Sequence, residues 1–235
     1  MAEPAATTPK KSDLGVRVIS AIGMLALAGT AFWLGGWIFR AFVALVGVGV
    51  LYEWWALVSR ITASAFSRIL WLAGGFLYVG IACYHLALVG PSMALLPVLG
   101  VIGTDVGAYF AGRAIGGPKI APAISPSKTW AGLGGGIFGA AMMMSLLVAA
   151  FYWGSGAGAI PSDLVILAGT IGIPLAVLAQ AGDFFESWMK RKAGVKDSGS
   201  LIPGHGGLFD RVDGLLPVSI VTPFLMNMLL SGTRL

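Results

Sequence analysis

Apolar residues run along this chain in long, nearly unbroken blocks, at about 15–34, 37–58, 69–90, 93–112, 131–153, 161–186 and 213–231. Each block is close to the roughly 20 residues that an α-helix needs to cross a hydrocarbon layer about 30 Å thick. Lipid offers no water to satisfy exposed backbone groups, so such blocks must be helical. The pattern predicts an all-α polytopic integral membrane protein with about seven transmembrane helices. The range is six to nine, because the first pair is closely joined and a re-entrant piece could lie near 114–130. Residues 1–13 (MAEPAATTPKKSD) have no apolar core and read as a disordered cytoplasmic tail, leaving 14–235 as a single transmembrane domain.

The polar positions between the blocks are not random. Lys10, Lys11 and Arg17 precede the first block, and Arg60 and Arg68 follow the second. Arg113, Lys119 and Lys128 follow the fourth, and Lys190, Arg191, Lys192, Lys196 and Arg211 follow the sixth. Thirteen of the fifteen basic residues thus fall in alternate connections. By the positive-inside rule these connections and the N-terminus are cytoplasmic.

Composition removes whole classes of function. Of the 235 residues 57% are hydrophobic and only 11% charged, and the mean hydropathy of +0.87 lies outside the range of a soluble globular domain. The net charge of +5 would suggest nucleic acid in a soluble protein. Here it is a topology signal, and no nucleic-acid partner is expected. Cys83 is the only cysteine, so the chain has no internal disulfide and no CxxC metal site.

The last connection holds more than orientation requires. From Gly182 it reads GDFFESWMKRKAGVKDSGSLIPGHGGLFDRVDG. Asp183, Glu186, Ser187 and Lys190 recur at helical offsets, and an acid at the end of a membrane helix favours a site that faces the bundle interior. Pro203, Gly204, His205, Gly206 and Gly207 surround one imidazole with almost no side-chain bulk, which permits positive φ and backbone amides that could cradle phosphate. Asp210 and Asp213 are three apart, so a helical turn there would project both carboxylates from one face. With no cysteine cluster and no histidine pair, hard oxygen ligands point to Mg²⁺, held by Asp210, Asp213 and Asp183.

These residues carry a resemblance. Ser187, Lys190-Arg191, Lys196-Asp197, Gly199, Ile202-Pro203, His205-Gly206-Gly207, Asp210-Arg211 and Asp213 match the signature of the phosphatidate cytidylyltransferase (CDP-diacylglycerol synthase) family at every spacing. Upstream, Asp105, Ala108-Tyr109, Gly112-Arg113 and Gly116 look like its second motif, and Ile124-Ser125-Pro126 with Lys128-Thr129-Trp130 like its third. Many relatives carry Glu or Gln after that Trp, whereas this chain has Ala131, so any substrate contact by that side chain is lost here.

The resemblance implies a membrane enzyme that transfers cytidylyl from CTP to phosphatidate, releasing pyrophosphate, with Mg²⁺ and room for a second cation such as K⁺. It also implies a homodimer, a bacterial cytoplasmic membrane, and a catalytic segment at 182–214 that faces the cytoplasm. Asp183, Lys196, Asp197, His205, Asp210, Arg211 and Asp213 would be catalytic. Asp105, Tyr109 and Arg113, one helix face at i, i+4 and i+8, would bind substrate. So would Ser125, Ser127, Lys128 and Thr129, and Ser187, Lys190, Arg191, Gly206 and Gly207. A lipid phosphate is already ionised near neutral pH, so His205 need not be a general base. His205→Gln is expected to lose less activity than Asp210→Asn. The rivals are another CTP-dependent lipid enzyme, such as an ether-lipid cytidylyltransferase or a polyprenol kinase, and a transporter. Polarity gathered at the cytoplasmic helix ends disfavours the transporter.

Three further features read as structural. Glu53 sits among Tyr52, Trp54 and Trp55, where interfacial anchoring accounts for the aromatics but leaves the carboxylate unexplained. His85 lies in an apolar block away from the basic connections. Gly132 with Gly136, and Gly135 with Gly139, follow the small-xxx-small spacing of close helix packing.

Overall fold

A computed structural model describes residues 12–156 and 161–232. The chain is an all-α polytopic membrane protein built from α1 (Ser12–Leu34), α2 (Gly36–Ile61), α3 (Ala65–Ala114), α4 (Trp130–Ser155), α5 (Ser162–Ala193), α6 (Phe209–Val212) and α7 (Leu215–Gly232). Five of the described helices, α1 to α5, are long and apolar enough to cross a membrane. Ser12 and Asp13, assigned above to the tail, already belong to α1. The rest of that tail lies outside the described residues, as do Lys10, Lys11 and Arg234.

α3 is two helices in one. At Gly90 the backbone takes φ 74° and ψ 174°, and Pro91 follows. A proline has no N–H to give the preceding turn and its ring crowds the carbonyl four residues back, so the direction changes here. The halves, 65–89 and 91–114, correspond to the third and fourth apolar blocks.

Residues 115–129 are not a re-entrant helix. They form a small antiparallel hairpin, β1 (Lys119–Ala121) with β2 (Ser125–Thr129), at the end of α3. Thr129 closes it, its Oγ1 accepting the Gly132 amide at 3.0 Å to cap α4.

The most extensive helix contact is that of α3 with α4, and glycine makes it. A Cβ on Gly139 would overlap the Gly103 carbonyl, and one on Gly135 the Gly107 carbonyl; at Gly132 and Gly136 it would press, less severely, on the Ala108 and Thr104 carbonyls. Backbones touch because no side chain intervenes, as the small-residue spacing predicts. His85 bonds Ile220 O through Nδ1 at 2.9 Å, tying α3 to α7.

Trp54 of α2 is the hub of an aromatic cluster. Its ring lies 5.7 Å from Phe185 of α5, 5.7 Å from Phe209 of α6 and 6.3 Å from Trp71 of α3. Its indole N–H donates to Trp71 O at 3.0 Å. Burial of this polar handle together with its ring fixes α2 against three neighbours.

Candidate active site

The sequence-predicted residues separate into two groups. The first surrounds a cavity of about 450 Å³ bordered by the C-terminal half of α3, the β-hairpin, the start of α4 and α5. Asp105, Tyr109 and Arg113 line it from one face of α3, as their spacing predicts. Arg113 donates to the Tyr109 hydroxyl at 3.1 Å and its guanidinium lies 5.7 Å from that ring. Ser127, Lys128 and Thr129 line the other wall, so the two upstream motifs meet in one pocket. Ser125, in contrast, is buried and does not line it.

Two residues that sequence reasoning passed over join them. Lys119, read above only as a topology marker, lines the cavity. Gln180 is buried one turn before Asp183 and accepts from Lys128 Nζ at 2.9 Å. A lone amide inside an otherwise apolar block was the available signal.

α5 continues without a break to Ala193, so the signature begins on a helix and the i,i+4 pairs form. Ser187 donates to Asp183 Oδ1 at 3.3 Å, and Asp183 is ion-paired with Lys128. Asp213 stands nearby, between α6 and α7. Burial and the like charge of Asp183 push its carboxyl up to about 7; Asp105 adds to this, while the Gly214 amide and Lys128 oppose it. Asp183 and Asp213 thus share one lysine, one hydroxyl and one backbone N–H.

The second group is the loop between α5 and α6. Asp210 accepts Lys190 Nζ on Oδ1 at 2.6 Å, and on Oδ2 the Ser198 amide, the Ser198 hydroxyl and the Gly207 amide, each at 2.9 Å. Burial works against the charge of Asp210, but hydrogen bonds with Glu186 and Lys190 and from the two amides hold it well below the usual carboxylate range. Lys190 also meets Glu186 Oε2 at 2.5 Å.

Glu53 completes this group from α2. It is 1% exposed and accepts the Leu208 amide at 3.0 Å, the Phe209 amide at 2.8 Å and the Ser198 hydroxyl at 3.0 Å. At the loop tip, Gly206 adopts φ 83°, and Ile202 and Gly206 pair through the Ile202 amide. Ser20 of α1 donates to Pro203 O at 2.8 Å and meets His205 Nδ1 at 2.9 Å. Arg211 donates to His205 O at 2.6 Å.

Three expectations change. Asp210 and Asp213 do not converge, because Asp210 reaches back to the amide three residues earlier, as acids do in the first turn of a capped helix, while Asp213 faces Asp183. Within the 203–207 turn expected to cradle phosphate, the Gly207 amide is already accepted by Asp210 and the His205 amide by Ile202 O. Arg191 does not face the cavity group; its Nε donates to Ile124 O at 3.3 Å and ties α5 to the hairpin. Lys196 and Asp197 are exposed beside the loop, with Asp197 against Gly206.

Among the described residues no three His, Cys, Asp or Glu side chains are gathered as a ready metal cluster. The donor set still fits a hard cation. Asp183 and Asp213 are oxygen ligands short of positive partners, and Lys128 Nζ already stands as a cation against Asp183. Mg²⁺ is commonly held by one or two carboxylates, with water and substrate phosphate filling the rest.

Residues 65–229 match the cytidylyltransferase family. A protein of Brucella suis biovar 1 (strain 1330), named phosphatidate cytidylyltransferase, is 34% identical, covering 87% of this chain and 90% of its own length. Proteins of the same name from Rickettsia bellii (strain RML369-C) and Rickettsia conorii (strain ATCC VR-613 / Malish 7) are 32% and 30% identical, covering 97% and 94% of both chains. The match to the family pattern over most of the chain, together with these relatives, shows that the protein belongs to the cytidylyltransferase family.

Proposed function

We propose that this protein is a phosphatidate cytidylyltransferase, joining CTP and phosphatidate to give CDP-diacylglycerol and pyrophosphate at the cytoplasmic face of a bacterial inner membrane. One observation carries the reading: a polar cavity at the helix ends presents Arg113, Lys119 and Lys128 beside Asp183 and Asp213. Both substrates are anions that repel each other. The basic wall offsets that repulsion and holds the lipid phosphate against the nucleotide. A phosphate oxygen of phosphatidate forms a bond to the α-phosphorus of CTP as the bond to the pyrophosphate oxygen breaks, in line.

Asp183 and Asp213, with Asp105 beside them, would hold Mg²⁺, which when bound supplies charge neutralisation at the phosphates. Lys128 then exchanges its carboxylate partner for substrate phosphate. No side chain has to remove a proton from the attacking oxygen. His205 has its Nδ1 engaged by Ser20, and its part is to brace the loop tip. The alternate basic connections support a cytoplasmic N-terminus and active site.

Pyrophosphate release by the purified protein tests the reading. Release from CTP is expected only when phosphatidate and Mg²⁺ are both present. A product formed from diacylglycerol or polyprenol in place of phosphatidate would overturn it.

A further inference from the structure

Glu53 is a buried acid in a membrane helix, remote in sequence from every motif. We propose that it is a positioning residue: its carboxylate shapes the loop from Ser198 to Phe209. This rests on the reading of that loop as part of the active site.

The partners of Glu53 are all donors, and two are backbone amides that can only donate. Those amides belong to residues at the start of α6, where the first N–H groups have no acceptor within their own helix. A carboxylate supplies two oxygens to three donors at a place where water does not reach. An interfacial anchor would instead carry its charge to solvent, and Glu53 is 1% exposed.

The glycines of the loop are shaped to this carboxylate. A Cβ on Gly199 would overlap the Glu53 carboxyl group, and one on Gly207 would come within 2.6 Å of Glu53 Oε2 and collide with Ser198. Ser198 links the two acids, its hydroxyl lying 3.0 Å from Glu53 Oε2 and 2.9 Å from Asp210 Oδ2. Beside Glu53, the Trp54 ring packs on Phe209 at 5.7 Å and fixes the register of α2 on the loop. α2 therefore holds, by the Glu53 carboxylate and the Trp54 ring, a segment 145 to 156 positions further along the chain.

The test is Glu53→Gln, which keeps the volume but turns an amide NH₂ toward a donor. Tryptic cleavage after the exposed Lys196, followed by mass spectrometry without substrate, is expected to quicken about tenfold, the effect of leaving one buried donor unpaired. Turnover at saturating CTP should fall by a similar factor, while the thermal midpoint in detergent moves little. Gly199→Ala disturbs the same contact, so the double variant should lose no more than the worse single one.

Wild-type cleavage and turnover in Glu53→Gln would overturn the proposal. So would multiplicative losses in the double variant, or a lost activity that equals the fraction of unfolded protein. A wild-type protein that releases no pyrophosphate would sink the functional reading alone, since the cleavage arm still decides the role of Glu53.

Discussion

The two acid groups of this protein use one chemistry for opposite ends. Glu53 and Asp210 accept hydrogen bonds on every oxygen, four of them from backbone amides of the loop that they enclose. Asp183, held by Ser187 and by Lys128 of the cavity wall, and Asp213, held by the Gly214 amide alone, have three donors for four oxygens between them, and Asp213 retains its proton to about 7. A saturated carboxylate fixes backbone. An unsaturated one keeps its valence for something that arrives from outside.

Substitutions can break this contrast. Asp183→Asn is expected to lower turnover about 10³-fold, the equivalent of several kcal/mol of charge stabilisation, with little change in thermal midpoint. Measured pyrophosphate release against CTP and phosphatidate checks it. Asp210→Asn should behave differently, costing about 3 kcal/mol of stability because Lys190 and a shared set of donors lose a buried charge. An unchanged melting transition would remove Asp210 from the saturated class. Gly139→Ala, which strikes the α3–α4 contact and neither acid group, should cost about 1–3 kcal/mol through overpacking, read as a lower midpoint with normal activity in the protein that stays folded.

The pH dependence is smaller and specific to the cavity. The Asp213 carboxyl lies at about 7 when folded, against an ordinary value of about 4. Its proton therefore stabilises the metal-free fold fully below about 4, and that contribution is lost as pH rises through 7. Magnesium competes with the same proton. Its apparent affinity should fall about tenfold per unit below pH 7 and level off above, measurable by titration calorimetry, and Asp213→Asn should flatten the profile. His205→Gln should have the least effect, a loss below about fivefold, because a single neutral hydrogen bond at the loop tip contributes about 1 kcal/mol. Asp210→Asn is expected to lose more activity than His205→Gln because of loop support rather than metal binding.

The helices were legible because membrane spans declare themselves in continuous apolar blocks, and even the bend at Gly90 was visible as a gap between two of them. The motif residues were legible too, and those on one helix, such as Asp105, Tyr109 and Arg113, fell where a 3.6-residue period puts them. Partnership was not. Asp210 and Asp213 share a local spacing, yet Lys190 and the Ser198 and Gly207 amides decide which way Asp210 turns. Glu53 was conspicuous as an acid in an apolar helix, but its partners lie 145 to 156 positions further along. No local pattern in α2 names them.

Ser20 bonds Pro203, 183 residues downstream. A ribosome adding roughly 5–20 residues per second needs about 10–40 s to cover that interval, and α1 must be in the bilayer throughout. Glu53 waits almost as long for the Leu208 and Phe209 amides. The nascent protein thus carries an unmatched acid in its second helix, at a cost of about 2.5–3.5 kcal/mol on insertion scales if it sits at mid-bilayer, until the C-terminal quarter emerges. A polar segment far along the chain completes the first two helices, and assembly of the bundle is tied to arrival of the loop.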